Sequence, residues 1–306
     1  MRRGKSTTSL PAIDDRCLRH RQMLLLLIAP SAAAALLITL VPVLLLVRMS
    51  LSSVSRFGRI GDFVGLRNFA RLAGDPLLPD IALRTVVWTG SVVAGTLLLA
   101  LPAALVLNRR FFGRGLAQFL VLAPWAISVT SMAVVWRRVL SDEDGLLNRL
   151  AMAVGLIERP VVWLGSIPVS FGFEILVAIL VSVPFSTVIL LAGLSSIPAE
   201  ISEAARLDGA GSGARLRFVT LPLMRPFIMV MLIFNVAYVT NSFPIIWILT
   251  QGGPANGTDI LVTYLYKLAF TLGRLDEAAA LSLLLLAALG GLTVVMLRLL
   301  ERPADG

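Results

Sequence analysis

The chain has 306 residues, of which 57% are hydrophobic and only 15% are charged, and its mean hydropathy is +0.88. These values are typical of a membrane protein and argue against one or two soluble domains. The formal net charge is +9, but the basic residues lie between apolar runs and in a tail instead of on one soluble face, which argues against nucleic-acid binding.

The only cysteine and the only histidine, Cys17 and His20, lie in a basic leader at 1–22. A single cysteine cannot form an internal disulfide, and one residue of each kind supplies neither a metal site nor a Cys-His nucleophile. The tripeptide GKS at 4–6 matches the end of a phosphate-binding loop, but the glycine and the strand that such a loop needs do not precede it. We therefore predict that the chain binds no ATP, metal or other cofactor and is not an enzyme by itself.

The polar leader is followed by an apolar run, 23–47, that contains no charged residue. A helix needs about 20 apolar residues to cross a bilayer, whereas the apolar part of a cleaved signal peptide has only about 7 to 15. We therefore expect an uncleaved first spanning helix.

Five more runs satisfy the same length and charge criterion. They lie at 85–107, 115–136, 175–197, 227–249 and 278–297. The sequence thus predicts an all-α membrane protein with six transmembrane helices in one domain, 23–297, followed by a tail at 298–306. Between the spans, the stretch 57–79 is expected to be a short amphipathic or irregular excursion, and 142–156 has the apolar spacing of a helix on the outer membrane surface.

The stretch 203–222, EAARLDGAGSGARLRFVTLP, is polar, lies between two long apolar runs and has the wrong composition for a span. Its first part consists of good helix formers, and the glycines at 209, 211 and 213 are expected to end that helix through left-handed backbone. A second helical run, 214–221, is expected to stop at Pro222. This pattern alone does not distinguish a functional segment from an ordinary helical loop in the cytoplasm.

The short helix also has the properties of an element that enters a groove on a partner. Ala204 and Ala205 keep it thin for close approach, while Glu203 and Leu207 share one face because they are four residues apart. Asp208 shares the next face with Ala204. The residues themselves are therefore compatible with a helix that binds in the groove of a partner protein.

The spacing within 203–222 resembles the signature loop of the permease subunits of bacterial ABC importers. That signature is Glu-Ala-Ala, three residues, Gly, nine residues, Ile, one residue and Leu-Pro, and this chain departs from it only in having Val219 for Ile. The approach at 185–198 and the run TQGGP at 250–254 resemble the same family. The start, from LLIAP to VGLRNF, is similar to the first permease chain of importers of disaccharides, glycerol phosphate and related polyols. The run 274–277 departs from the family pattern, which more often has an aromatic residue and a glycine there.

The resemblance implies a type I ABC importer permease fold in the bacterial cytoplasmic membrane, with the loop at 198–225 and both termini in the cytoplasm. The counts of Lys plus Arg, 15 in the inner segments and 12 in the outer ones, agree with this orientation only weakly. In the family the loop docks on a separate ATPase. The coupling residues that the resemblance implies are Glu203, Ala204, Ala205, Leu207, Asp208, Gly209, Leu221 and Pro222.

The family architecture also implies the partners. A second homologous permease subunit faces this one, two ATPase subunits or a homodimeric ATPase lie below and carry ATP and Mg, and an extracytoplasmic solute-binding protein delivers the solute. No nucleic acid is expected among the partners.

Polar residues inside the predicted spans are candidates for the solute pathway, because such residues are costly in lipid and usually face a cavity or another helix. Asn235, Tyr238 and Ser242 recur on one face of the fifth span, and Asn241 lies beside them; Gln251 follows in the next turn. Residues 128, 130 and 131 give the third span a similar polar patch. The alternative for each of them is hydrogen bonding between helices. Hydroxyl, amide and aromatic groups suit a neutral sugar or polyol.

Two other functions remain open from the residues alone. An ion-coupled carrier or channel would need a carboxylate within the membrane, and the only acid near a predicted span is Glu174, which is expected at an outer edge. A membrane scaffold without a solute path would leave the polar face of the fifth span unexplained.

Overall fold

A computed structural model describes residues 15–301, with side chains described from residue 27 to residue 300. The leader as far as residue 14 and the tail from residue 302 lie outside the described residues, as do the side chains of Cys17 and His20. The helices and strands in chain order are α1 (Asp15–Ser50), β1 (Ser52–Val54), β2 (Ile60–Phe63), α2 (Arg67–Ala73), α3 (Leu78–Leu107), α4 (Arg114–Leu122), α5 (Val129–Val139), α6 (Leu146–Ala153), α7 (Ile167–Ser196), α8 (Ala199–Leu207), α9 (Ser212–Arg215), α10 (Leu221–Thr240), α11 (Phe243–Leu249), α12 (Leu261–Tyr266) and α13 (Leu275–Glu301).

Five helical segments in the described residues are long and apolar enough to cross a membrane. They are Leu27–Ser50, Leu78–Leu107, Ile167–Ser196, Ser212–Thr240 and Leu275–Leu300. A sixth candidate is the pair formed by Arg114–Ala126 and Val129–Val139, which is bent by 97°. The predicted class, an all-helical membrane protein, is confirmed with five spans, or six if the bent pair crosses as one.

The bend in the sixth candidate lies within the predicted span 115–136. A 3₁₀ turn at Ala123–Ala126 contains Pro124, and Ile127 and Ser128 then adopt extended backbone. The Ser128 side chain accepts a hydrogen bond from the Ser131 N–H and so begins α5 as an N-cap. The polar patch that the sequence places within one helix is therefore a helix start.

The fifth span also differs from the prediction, which placed it at 227–249. The continuous helix begins at Ser212 and ends at Thr240, and a separate short helix, α11, follows from Phe243. Pro244 lies in the first turn of α11, where its missing N–H costs no helical hydrogen bond. Composition could not reveal the break, because the predicted span 227–249 contains no charged residue on either side of it.

The directions of α3, α7 and α10 follow from two apolar clusters. One cluster joins Ala104, Leu194 and Met224, and the other joins residues that include Trp88 and Val177. Because the late parts of α3 and α7 share a cluster with the early part of α10, α3 and α7 run parallel and α10 runs antiparallel to both. The segment after α7, which contains α8, therefore lies at the same end of the bundle as the turn after α3. We call this the α8 end.

The opposite end carries the shorter elements. Strands β1 and β2 form an antiparallel hairpin, which the predicted all-α class did not include. Asn68 of α2 is buried and donates from Nδ2 to the carbonyl oxygens of Ser50 and Ser52, both at 2.9 Å, so α2 is fixed against the start of the hairpin. The predicted surface helix corresponds to α6, whose buried Asn148 accepts a hydrogen bond from Trp163 Nε1 at 2.8 Å.

Candidate functional site

Helix α8 carries most of the predicted coupling residues and contains no buried side chain. Glu203 and Ala204 are exposed, Ala205 is partly covered, and Leu207 is 90% exposed. A leucine in this position leaves a large apolar surface in water, which is typical of a binding surface when it forms part of a patch. The geometry thus presents a thin helix with one projecting apolar side chain.

Gly209 ends α8 with a φ of 79°, a left-handed conformation that glycine adopts without strain. The N–H of Asp208 bonds to the carbonyl of Ala204, and the N–H of Ala210 reaches back to the carbonyl of Ala205. This pattern satisfies the last carbonyls of the helix, as in other glycine-terminated helices. The prediction that Gly211 and Gly213 also adopt left-handed backbone is wrong: Gly211 has a φ of −65°, and Gly213 lies within α9.

The prediction that the second helical run stops at Pro222 is also wrong. Helix α9, a π-helical turn at Leu216–Thr220 and α10 form one continuous helix from Ser212 to Thr240. The N–H of Leu221 bonds to the carbonyl of Leu216, five residues back, and Pro222 then lies in the first turn of α10. A single proline can be accommodated where a widened turn already departs from the regular hydrogen-bond ladder. The second part of the predicted coupling segment, 212–222, is consequently part of the spanning helix, whereas α8 is separate from it.

The first turns of α10 contact three other helices. Met224 is fully buried in the cluster that includes Leu194 of α7 and Ala104 of α3. Arg225 donates from Nη2 to the carbonyl oxygen of Leu299 in α13 at 3.2 Å. A displacement of α8 relative to the bundle would therefore act on α3, α7 and α13 as well as on α10.

A cavity of about 420 Å³ lies between α7, α10 and the bend that separates α4 from α5. Its aromatic wall contains Trp125, Phe185 and Phe234, with ring centroids 5.9 Å apart in the first pair and 6.2 Å apart in the second. The other lining residues are Pro124, Ile127, Ser128, Val129, Val181, Ser182, Asn235 and Tyr238. None of the lining residues is charged, so the cavity offers aromatic faces together with amide and hydroxyl groups.

The predicted pathway residues divide into those that line this cavity and those that do not. Asn235 and Tyr238 line it, together with Ser128 from the other polar patch. Tyr238 is 48% exposed, whereas Asn235 is 3% exposed and donates to Ser186 Oγ at 2.9 Å and to the Met231 carbonyl at 3.1 Å. The side-chain amide nitrogen of Asn235 thus makes the bond between helices that was the alternative interpretation.

The other three pathway candidates lie elsewhere. Asn241 is exposed and bonds to the Ala237 carbonyl, and Ser242 is buried at the break before α11. Gln251 lines a second cavity, of about 670 Å³, at the opposite end of the bundle. The break at Asn241 explains the separation, because the helical periodicity that aligns Asn235 with Ser242 ends there.

The second cavity is bordered by the turn 250–259, which begins with the run TQGGP and contains a buried acid that was not predicted. Asp259 is fully buried, and its carboxylate accepts hydrogen bonds from Lys267 Nζ at 2.6 Å and from Thr263 Oγ1 at 2.9 Å. Burial raises the pKa of Asp259, and the Lys267 ammonium opposes that shift. Gly252 has a φ of 81°, and a Cβ there would lie 2.0 Å from Asp259 Oδ1. The density of glycine, proline and asparagine in this stretch was the available signal of an ordered turn.

The sequence predicted Glu174 at the outer edge of a span. In the structure it lies inside the helix, because α7 begins earlier, at Ile167. Its side chain is fully buried, and its Oε1 lies 2.6 Å from Thr250 Oγ1. The described residues contain no group of three or more His, Cys, Asp or Glu side chains that could hold a metal ion.

The sequence is similar to those of known membrane transport proteins. Residues 96–304 match the family described as "Binding-protein-dependent transport system inner membrane component". A probable ABC transporter permease protein of Brucella suis biovar 1 is 47% identical over 261 residues, which cover 85% of this chain and 90% of the relative. The trehalose/maltose transport system permease protein MalF of Thermococcus litoralis is 35% identical over 237 residues, which cover 77% of this chain and 79% of the relative.

The fold is similar to that of a chain in a solved transporter structure. A chain of a bacterial ABC transporter involved in the import of the acidic polysaccharide alginate superposes with a TM-score of 0.83, covering 95% of this chain and 99% of that one. The sequence identity is 21%, so this likeness shows a shared fold alone. The predicted permease fold is thereby confirmed.

The family match covers more than half of the chain, and the Brucella suis and Thermococcus litoralis relatives both exceed 30% identity over most of it. These matches confirm the predicted resemblance and the multi-pass location in the inner membrane, and they decide against an ion-coupled carrier or a channel. The chain belongs to the family of inner membrane components of binding-protein-dependent transport systems, as a permease subunit of an ABC importer that does not itself hydrolyse ATP.

Proposed function

We propose that this chain forms half of the translocation pathway for a neutral carbohydrate, a disaccharide or a similar sugar or polyol, and that it couples to a separate ATPase through residues 203–222. One observation carries the proposal. The continuous helix Ser212–Thr240 joins the coupling segment at one end to Asn235 and Tyr238 in the cavity wall at the other. A displacement of the loop would therefore move residues that line the cavity.

In this proposal the coupling residues have two roles. Glu203, Ala204, Ala205, Leu207 and Asp208 form the surface that enters a groove on the ATPase, with the exposed Leu207 as the apolar contact. Gly209 sets the angle between α8 and the long helix, while Leu221 and Pro222 follow the π-helical turn and transmit the motion to α10. Rigid helices that move as units are a common means of carrying such a change.

The proposed complex contains the partners that the family architecture implies. A second homologous permease subunit completes the pathway, and two ATPase subunits or a homodimeric ATPase bind ATP and Mg. An extracytoplasmic solute-binding protein supplies the solute. This assignment is supported by the family description, which names binding-protein-dependent transport.

A carbohydrate is supported by the cavity and by the relatives. Aromatic faces next to amide and hydroxyl groups suit the apolar faces and the hydroxyls of a sugar ring. MalF of Thermococcus litoralis is named for trehalose and maltose, and a relative from Agrobacterium fabrum, 31% identical, is named for sulfoquinovosyl glycerol. The latter compound is anionic, but the cavity of this chain has no charged lining residue to balance an anion.

The test is ATP-driven uptake by the complete importer. The chain is purified with its genomic neighbours, reconstituted in liposomes and supplied with the binding protein and labelled neutral or anionic sugars. We expect entry of a neutral sugar or polyol that needs both ATP and the ATPase. Uptake of an anion as the only transported solute would refute the assigned solute class, and entry without the ATPase would refute the coupling role.

A further inference from the structure

Glu174 is a fully buried carboxyl group within the spanning helix α7. Such groups are rare in spanning helices and usually have a function. The proposed transport mechanism does not use it, since it lies outside both the coupling segment and the wall of the aromatic cavity. Its neighbours belong to the turn that follows α11.

The side chain takes part in a short series of oxygen-to-oxygen contacts. Glu174 Oε1 lies 2.6 Å from Thr250 Oγ1, which lies 2.8 Å from Thr258 Oγ1, and Thr258 Oγ1 lies 3.0 Å from the carbonyl oxygen of Gly253. Thr250 Oγ1 also accepts from the N–H of Gly252 at 3.1 Å and lies 3.2 Å from the carbonyl oxygen of Ile246, one helical turn back. The contacts tie α7 to both ends of the turn.

The number of protons decides which of these contacts are hydrogen bonds. Each threonine hydroxyl has one proton, and an ionised carboxylate has none. With Glu174 ionised, the two hydroxyl protons cannot serve all three contacts: either Thr250 and Thr258 face each other without a proton, or the Gly253 carbonyl loses its donor. With a proton on Glu174 Oε1, each of the three shorter contacts has a donor, because Glu174 donates to Thr250, Thr250 to Thr258, and Thr258 to Gly253. Only the longer contact of Thr250 Oγ1 with the Ile246 carbonyl then has no proton.

The other carboxyl oxygen leads to the same assignment. Glu174 Oε2 is buried and has no hydrogen-bond partner among the described residues. A buried ionised carboxylate with one oxygen unpaired is far more costly than a neutral acid whose carbonyl oxygen is unpaired. Both oxygens therefore agree with a protonated group.

We infer that Glu174 is a proton-binding site: it is held as the neutral acid and, in that form, fixes the turn 250–259 to α7. Loss of the proton would remove one donor from the series and release either the contact between the two threonines or the bond to Gly253. The site is distinct from ion coupling, because the proton stays in place during transport and closes a structural contact.

The charged groups near this site form ion pairs or hydrogen bonds with groups other than Glu174. Asp259, on the same turn, is paired with Lys267. Arg84 of α3 donates to the carbonyl oxygen of Asp259 at 3.5 Å, and Arg137 of α5 donates to the carbonyl oxygen of Ile248 in α11 at 3.0 Å. In the described residues none of these three cations forms an ion pair or a hydrogen bond with Glu174 that would favour its ionised form.

The experiment is infrared difference spectroscopy of the complete importer in nanodiscs, titrated from neutral to alkaline pH. We expect a carbonyl band of a protonated carboxyl at neutral pH that disappears in Glu174→Gln and persists in Ser170→Ala. Ser170 is a matched control, because it lies one helical turn away, is fully buried and makes no hydrogen bond through its side chain in the described residues. Absence of a Glu174-dependent band at neutral pH would overturn the inference.

Uptake gives a second measurement. Wild-type uptake is expected to fall at alkaline pH, whereas Glu174→Gln, whose amide can still donate to Thr250, should lose this dependence and keep its activity; Glu174→Ala should lose activity at every pH. Equal loss in the glutamine and alanine variants would count against a neutral acid. If Glu174→Gln fails to assemble, Thr250→Val keeps the carboxyl and removes its partner, and the band must then shift; an unshifted band would refute the contact. The band reports on the proton whatever solute is carried.

Discussion

Arg225, near the start of α10, donates a hydrogen bond from Nη2 to the carbonyl oxygen of Leu299 near the end of α13, at 3.2 Å. The bond joins the helix that contains the end of the predicted coupling segment to the last helix of the bundle. The apolar contacts of Met224 with α3 and α7 lie one residue away along the chain. The start of α10 is thus held against the other helices by both a polar and an apolar contact.

Replacing Arg225 with Gln removes this charge-assisted bond while keeping a long polar side chain. Because the group is exposed, we expect a change in stability within about 0.5 kcal/mol. Loss of the link between α10 and α13 should nevertheless weaken coupling by about 0.5–2 kcal/mol, measured as solute transported per ATP hydrolysed in proteoliposomes. Arg298→Gln, at the same end of α13, is the control. Equal effects of the two variants would indicate a general loss of charge and not the loss of this bond.

Gly209→Asp adds a side chain at a backbone φ of 79°, in a place where a Cβ meets no atom within 4 Å. The left-handed conformation costs a non-glycine residue roughly 1–2 kcal/mol, so the angle between α8 and the long helix should change. We expect normal membrane insertion but a loss of roughly fivefold or more in uptake per ATP hydrolysed, the lower range of allosteric coupling.

Gly211→Asp is the matched control for that variant. It introduces the same charge two residues away, at a φ of −65° and in equally open space. Only the residue at 209 should therefore uncouple transport. Normal coupling in Gly209→Asp, or equal uncoupling in both variants, would contradict a role for the left-handed turn.

Tyr238 and Asn235 should respond differently to substitution, although both line the aromatic cavity. Tyr238→Ala removes a half-exposed ring, and we expect the half-saturating solute concentration to rise about tenfold, since an aromatic contact contributes about 0.5–1.5 kcal/mol beyond its burial. Asn235→Leu keeps the volume but leaves Ser186 Oγ without its donor, which should lower the free energy of unfolding by about 1–3 kcal/mol. Uptake kinetics and thermal melting of the purified complex separate the two effects.

Gly252→Ala should destabilise the turn 250–259 for two reasons. The residue has a φ of 81°, and the new Cβ would lie 2.0 Å from Asp259 Oδ1. Backbone strain of this kind costs about 1–3 kcal/mol, and the contact adds to it. Gly155→Ala is the control, because Gly155 has a φ of 72° but no atom within 4 Å of the added Cβ. A melting temperature equally lowered in both variants would show that the contact with Asp259 is unimportant.

Lys267→Met should leave the buried Asp259 carboxylate without its ammonium partner. Removing one member of a buried ion pair costs about 3–5 kcal/mol, and the double variant Asp259→Asn with Lys267→Met should recover much of that loss. A double variant that is no more stable than Lys267→Met would contradict the pairing.

The same variant should change the pH dependence of stability. Burial raises the pKa of Asp259 in the folded state, so on rising pH the unfolded chain releases this proton first and the folded state loses stability between the two pKa values. The loss is absent below the ordinary pKa of Asp and complete above the raised one. Without Lys267 the folded pKa rises further, so Lys267→Met should melt at a higher temperature in mildly acidic than in neutral solution. Melting curves across that range provide the measurement.

The amino-acid sequence determines the features that depend on local composition and spacing. Long uncharged runs indicate spanning helices because unpaired charges are costly in lipid, and a glycine at position 209 indicates the end of α8 because only glycine adopts that backbone without strain. The Glu-Ala-Ala spacing identifies the loop without any knowledge of the fold. These signals are contained within a few residues of chain.

Only the tertiary structure decides the features that depend on distant neighbours. Whether Pro222 ends a helix depends on the π-helical turn before it, and whether Glu174 lies at an edge or in the interior depends on where α7 begins and on the turn that covers it. The aromatic cavity joins Trp125 and Phe185, from separate helices, to Tyr238. No local pattern can report such contacts, because the free energy of a proline, a buried acid or an aromatic ring is determined by the groups that pack around it.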